Sequence, residues 1–209
     1  MPIEEQRRQW FALLAQLVVE TATSDLPCAE YCPDTICERD EHLFLLPFEL
    51  EFIREQTGVD LNAAGRFWMV TLPLDERDLA GPTVAVAVRS TFQECPALND
   101  ERRCAIHDAR PLDCRTFPFI PAFGEEGTRS KLRASCPLVA AGALPEGFVP
   151  LYERLWQHLS AFLPDAWKTL YWHYRVLLPE LNDPAATPGQ VDLRPRLVRF
   201  RRRTPENET

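Results

Sequence analysis

Glycine and lysine are scarce in this chain. Glycine occurs 8 times against 19 prolines, so many segments should be stiff, extended or turning rather than flexible. Lys131 and Lys168 are the only lysines, an arginine bias read as composition, not mechanism. No apolar run approaches the roughly 18 residues a membrane helix needs. The opening MPIEEQRRQW sets two acids and two arginines where an apolar h-region would begin. The expected compartment is therefore the cytoplasm, where thiols stay reduced. P-loop, G-x-G-x-x-G, G-x-S-x-G and H-E-x-x-H motifs are all missing, which removes the commonest phosphate, dinucleotide, hydrolase and zinc-protease signatures.

What is present suits a globular protein. With 209 residues, 45% hydrophobic and 26% charged, the chain is long enough to bury a core. Its net charge of −8 argues against general nucleic-acid binding and against anionic membranes. Seven cysteines in a reducing compartment point to ligands or reactive groups, and their odd number argues against a complete disulfide framework.

Residues 3 to about 20 carry Ile3, Trp10, Leu13, Leu14, Leu17 and Val18 at helical spacing. Thr21–Asp40 reads as a polar loop shaped by what it binds. A second helix is expected from about Pro47 to Thr57, with Glu49 and Glu51 near its positive end and Gly58 as its stop. Phe67–Leu72 and Thr83–Ser90 read as two strands of a hairpin joined by a charged Pro/Gly turn. Helical pattern returns over about 150–178, interrupted near Pro164, with aromatic faces that pack the core and cover the cysteine region. The expected fold class is α+β, mainly helical, with a small β-hairpin and irregular cysteine-rich metal-binding loops. A single domain over 1–181, with its cysteine-rich core at 28–137, precedes a Pro/Arg-rich tail at 182–209. That tail is either solvated or docked, or serves as an anion- or nucleic-acid-binding arm.

The cysteines fall in two groups, Cys28-x3-Cys32-x4-Cys37 and Cys95-x8-Cys104-x9-Cys114-x21-Cys136. Thiolate is a strong ligand for zinc, Cu(I) and iron–sulfur clusters, and cysteines in such polar, Pro-rich surroundings are poorly explained as small buried hydrophobes. Neither group has zinc-finger spacing. The first has the ligand number of a three-thiolate four-iron cluster, without the C-x3-C-x2-C spacing of radical enzymes that use S-adenosylmethionine. His42, beyond Cys37, and Asp34, within the loop, are further ligand candidates, as is His107. His158 and His173 read as core or surface histidines. Arg110 and Arg115 flank Cys114, where guanidinium groups would support thiolates, grip an anion or pair with Asp108 or Asp113.

The run CPALNDERRCAIHDARPLDCRTFPF, Cys95 to Phe119, resembles the YkgJ-like cysteine-cluster family, a zinc- or iron-chelating domain. Cys95, Pro96, Leu98, Cys104, Ile106, Arg110, Pro111, Cys114, Arg115, Phe117 and Pro118 supply the family pattern, which spans roughly Cys28 to Pro137. His107 stands where the family has tyrosine, and the family's upstream adjacent cysteine pair is missing. The resemblance implies an iron–sulfur cluster (4Fe–4S) or Zn2+. The chain also distantly resembles the flagellin lysine N-methylases, which implies S-adenosylmethionine as a cofactor and a protein or peptide substrate. Three functions follow as expectations: a metal-handling or redox protein, a metal-dependent modifying enzyme, or a zinc-stapled interaction module.

Overall fold

The computed structural model describes residues 2–21, 26, 31, 42–100, 104–123 and 130–203. Most of the expected loop Thr21–Asp40, with Cys28, Cys32, Cys37 and Asp34, lies outside these; Thr21, Leu26 and Tyr31 are described within it. Among the described residues seven named helices accompany a four-stranded mixed sheet and a two-stranded one, so the fold is α+β and mainly helical.

Helix α1, Ile3–Thr21, buries Trp10, Leu14, Leu17 and Thr21 on one face. Strand β1, Leu43–Phe44, follows. Phe48, at φ 60° in the left-handed region, turns the chain into helix α2, Glu49–Thr57. Gly58 ends that helix at φ 73°, its N–H donating to Arg54 O, as expected for a glycine stop.

The hairpin of strands β2 (Trp68–Pro73) and β3 (Thr83–Arg89) forms with Trp68 opposite Val88 and Pro73 opposite Thr83. Its inward side chains Val70, Leu72, Val84, Val86 and Val88 are buried, since alternation delivers one face to the core. Strand β1 pairs antiparallel with β3, Leu43 opposite Arg89.

Past Cys95 the chain is short-range and irregular. A 3-10 turn at His107–Ala109 precedes helix α3, Leu112–Thr116. Strands β4, Phe119–Ile120, and β5, Lys131–Leu132, form the second sheet, and helix α4 covers Pro137–Ala140. Helices α5, Phe148–Ser160, and α6, Asp165–Leu177, are separated near Pro164 as expected. Their Tyr152, Trp156 and Trp167 are buried, and Trp167 stacks on Tyr171 with centroids 5.2 Å apart. Trp167 Nε1 donates to Leu45 O at 2.9 Å, fixing α6 to the chain just after β1.

The segment read as a tail from residue 182 builds into the fold over residues 190–203. Strand β6, Gln190–Asp192, pairs parallel with β2, Val191 opposite Val70. Helix α7, Arg194–Arg203, follows. Val191, Leu193 and Leu197 are buried, and three apolar residues among arginines suffice to dock it. Its arginines are partly spent on acids and carbonyls: Arg196 on Glu180 and Leu177 O, Arg201 on Glu76, Arg194 on Asp192. No described helix is long and apolar enough to cross a membrane.

Candidate metal centre

Three of the four described cysteines face one cavity of about 470 Å³: Cys95, Cys104 and Cys114. Local backbone chemistry places each. Cys95 opens a turn with Pro96 at its second position, closed by Leu98 N–H donating to Cys95 O at 3.2 Å. The chain then doubles back. Leu98 and Cys104 form an isolated antiparallel bridge, and Ala105 N–H donates to Ala97 O at 2.7 Å. Cys114 lies in α3, whose start is held by Leu112 N–H donating to Glu49 Oε1 at 2.7 Å. All three thiols are half-buried against Ile53, Leu61, Phe67, Ala97 and Ile106.

Cys136 differs. It is buried at the start of α4, its N–H donating to Arg133 O at 3.0 Å, and it does not line the cavity. Arg133, three residues earlier, does.

The two arginines flanking Cys114 part company. Arg115 is buried and spends its guanidinium on Arg110 O at 2.8 Å, Thr21 Oγ1 at 3.2 Å and Asp108 O. Burial, then the Arg110 charge, holds its pKa below the usual arginine value. It therefore ties the turn before Cys114 to the end of α1. Arg110 lines the cavity instead, with its Nε buried and without a partner among the described residues.

Glu49 is the buried acid beneath this framework. Its Oε2 accepts from Leu46 N–H at 2.8 Å while Oε1 holds Leu112. Burial pushes its pKa up to about 7, against the opposing pull of those two N–H groups and of Arg115. Asp113 Oδ2 accepts from Phe44 N–H at 3.0 Å, a second tie from α3 to β1.

His42 lines the cavity beside the cysteines. Thr91 N–H donates to its Nδ1 at 3.4 Å, and its ring meets Tyr174 edge-on at 4.8 Å. Burial first, then the charges of Arg89, Arg175 and Arg133, pushes its pKa down to about 4, so the imidazole is neutral at physiological pH. His107 is exposed, 3.3 Å from Asp108 Oδ1, and outside the cavity lining. His158 and His173 sit against Phe162 and Phe200.

Tyr171, Trp172 and Tyr174 of α6 also line the cavity, at the point where His173 leaves helical backbone, φ −113° and ψ 23°. The aromatic helix thus packs the core with one face and covers the cysteines with another.

Among the described residues no three His, Cys, Asp or Glu side chains close into a group able to hold a metal ion. The donor chemistry nevertheless fits a thiophilic metal: three thiols lining one cavity, cationic side chains lining it with them, and an apolar backing.

Residues 26–137 match a family model, CxxCxxCC, described as a "Putative zinc- or iron-chelating domain". The chain belongs to this family. Its domain is a zinc- or iron-chelating one, and the matched span contains all seven cysteines. The adjacent cysteine pair in the family's name has no counterpart here, where Cys28, Cys32 and Cys37 are spaced by three and four residues. No curated protein and no solved structure matches the chain.

Proposed function

We propose that Cys95, Cys104 and Cys114 form the thiolate face of an accessible metal centre with a metal-handling or redox role. The observation that carries this is their shared position on the wall of one cavity. A metal that only stapled loops together would more naturally be enclosed on all sides. In this reading the preferred form is a 4Fe–4S cluster, whose fourth ligand comes from Cys136 or from one of the upstream Cys28, Cys32 and Cys37, the thiols left over holding a second centre close by. When bound, such a group supplies one-electron or Lewis-acid chemistry at the cavity wall. The chain's own residues orient it: Glu49 and Arg115 fix the turn and helix bearing Cys114, and Arg110 places positive charge beside it.

The test is elemental analysis with an absorption spectrum on protein purified without oxygen. About four irons and about four acid-labile sulfides per chain, with absorption near roughly 400 nm, are expected. One or two zincs and a colourless protein would replace the redox reading with a structural one. No bound metal in protein prepared with iron and zinc supplied would remove both.

A further inference from the structure

The cavity has a chemistry that its thiols do not account for. Among the described residues lining it, Arg89, Arg110, Lys131, Arg133 and Arg175 are cationic and Asp113 alone is acidic. This concentration occurs in a chain of net charge −8. Five elements or loops contribute it, so it is not the by-product of one basic helix. The single charge of Asp113 offsets at most one of these five.

Facing these cations is an aromatic surface, Phe44, Tyr171, Trp172 and Tyr174. Arg175 lies over the Tyr174 ring, 5.8 Å from its centroid, and donates to its hydroxyl. Two lining side chains carry buried N–H donors with no partner among the described residues, Arg110 Nε and Trp172 Nε1. An unmet buried donor is costly, and an incoming acceptor relieves that cost. The volume of about 470 Å³ is that of a site for a small organic molecule.

We infer that the cavity beside the cysteines binds a small organic anion, its carboxylate or phosphate held by Arg110, Arg175 and Lys131 and its apolar or aromatic body against Tyr171, Trp172 and Tyr174. Guanidinium forks favour planar or tetrahedral oxyanions, and the ring faces favour a flat body. The inference shares the proposed metal's cavity but not its ligands. Metal content measured on the same samples therefore tells the failure of one reading from the failure of the other.

The probe is 8-anilinonaphthalene-1-sulfonate, an aromatic anion that brightens in apolar sites, titrated into the purified full chain. Nile red, uncharged, is the control. One saturable sulfonate site per chain is expected, weakened about tenfold in the Arg110→Gln/Arg175→Gln double variant, with Nile red binding unchanged. Inorganic phosphate and citrate are then added as competitors, and the stronger one identifies the head group. Lys131→Gln, at an exposed strand position, serves as a second variant should the double one unfold. Equal sulfonate affinity in wild type and variants overturns the inference, as does loss of both dyes in parallel. Variants that lose metal while keeping the sulfonate affinity overturn it too, because the cations would then serve the thiolates alone.

Discussion

Glu49 accepts the Leu112 N–H across 63 residues of sequence, and its second oxygen accepts Leu46 N–H. One buried carboxylate thereby joins the entry of α2 to the entry of the helix carrying Cys114. Glu49→Leu would strand two buried N–H groups, at about 1–3 kcal/mol each. We expect a fall of at least about 2 kcal/mol in urea unfolding, together with reduced metal content. Unchanged stability would show that the two helix entries are held by other means.

The same residue sets a pH dependence. Its ordinary pKa is 4.5 and in the fold it rises to about 7. Between these values the folded state holds the proton more tightly than the unfolded one. Glu49 therefore favours folding fully below pH 4.5, and this contribution is lost as pH rises to about 7. Stability measured across that window should decline with a slope that Glu49→Gln removes. An identical slope in wild type and variant would locate the titration elsewhere.

Arg115 holds two backbone carbonyls and the Thr21 hydroxyl. Arg115→Met should cost about 2–4 kcal/mol, since charged hydrogen bonds to buried groups are lost. Arg115→Lys should rescue little, because an ammonium cannot span three acceptors in a fork. Full rescue by lysine, read by thermal unfolding, would reduce Arg115 to a simple charge.

Substitution of single thiols should grade the metal site. Cys104→Ser and Cys114→Ser are expected to lose most of the bound metal. Cys136→Ser should lose less, because Cys136 lies outside the cavity lining. Elemental analysis of each purified variant is the measurement, and full retention in both Cys104→Ser and Cys114→Ser would refute the cavity-wall centre.

Leu197 is fully buried on α7. Leu197→Ala should destabilise by about 2–4 kcal/mol, and deletion of residues 190–203 should yield aggregating protein by exposing one side of β2. A deletion variant that stays monomeric and folded by size exclusion and circular dichroism would mean that the segment is dispensable.

Much of this was legible in the sequence where the signal is local. Alternating valines specify the Val84–Val88 strand, Gly58 marks a helix end, and the Cys95–Phe119 run carries the family pattern. The rest depends on distant partners. Gln190–Asp192 is too short, between Pro188 and Pro195, to announce a strand, and it is ordered by β2. Glu49 reads as a helix-dipole residue, yet burial makes it a bridge to Leu112. Nothing in the spacing of Arg110 and Arg115 says that one faces a cavity and the other faces α1. The cationic lining is beyond local pattern altogether, because Arg89, Arg133 and Arg175 converge only through the fold.

The parallel pairing of β6 with β2 has a consequence for biogenesis. Translation delivers the seven cysteines before it delivers the aromatic wall of α6, and it delivers Val191 and Leu197 later still. While the ribosome is still adding those residues, Cys95, Cys104 and Cys114 lack the aromatic side of their cavity and β2 lacks its neighbour on one edge. A chain stalled before residue 190 would carry every cysteine while lacking the strand that completes the sheet and the helix that follows it.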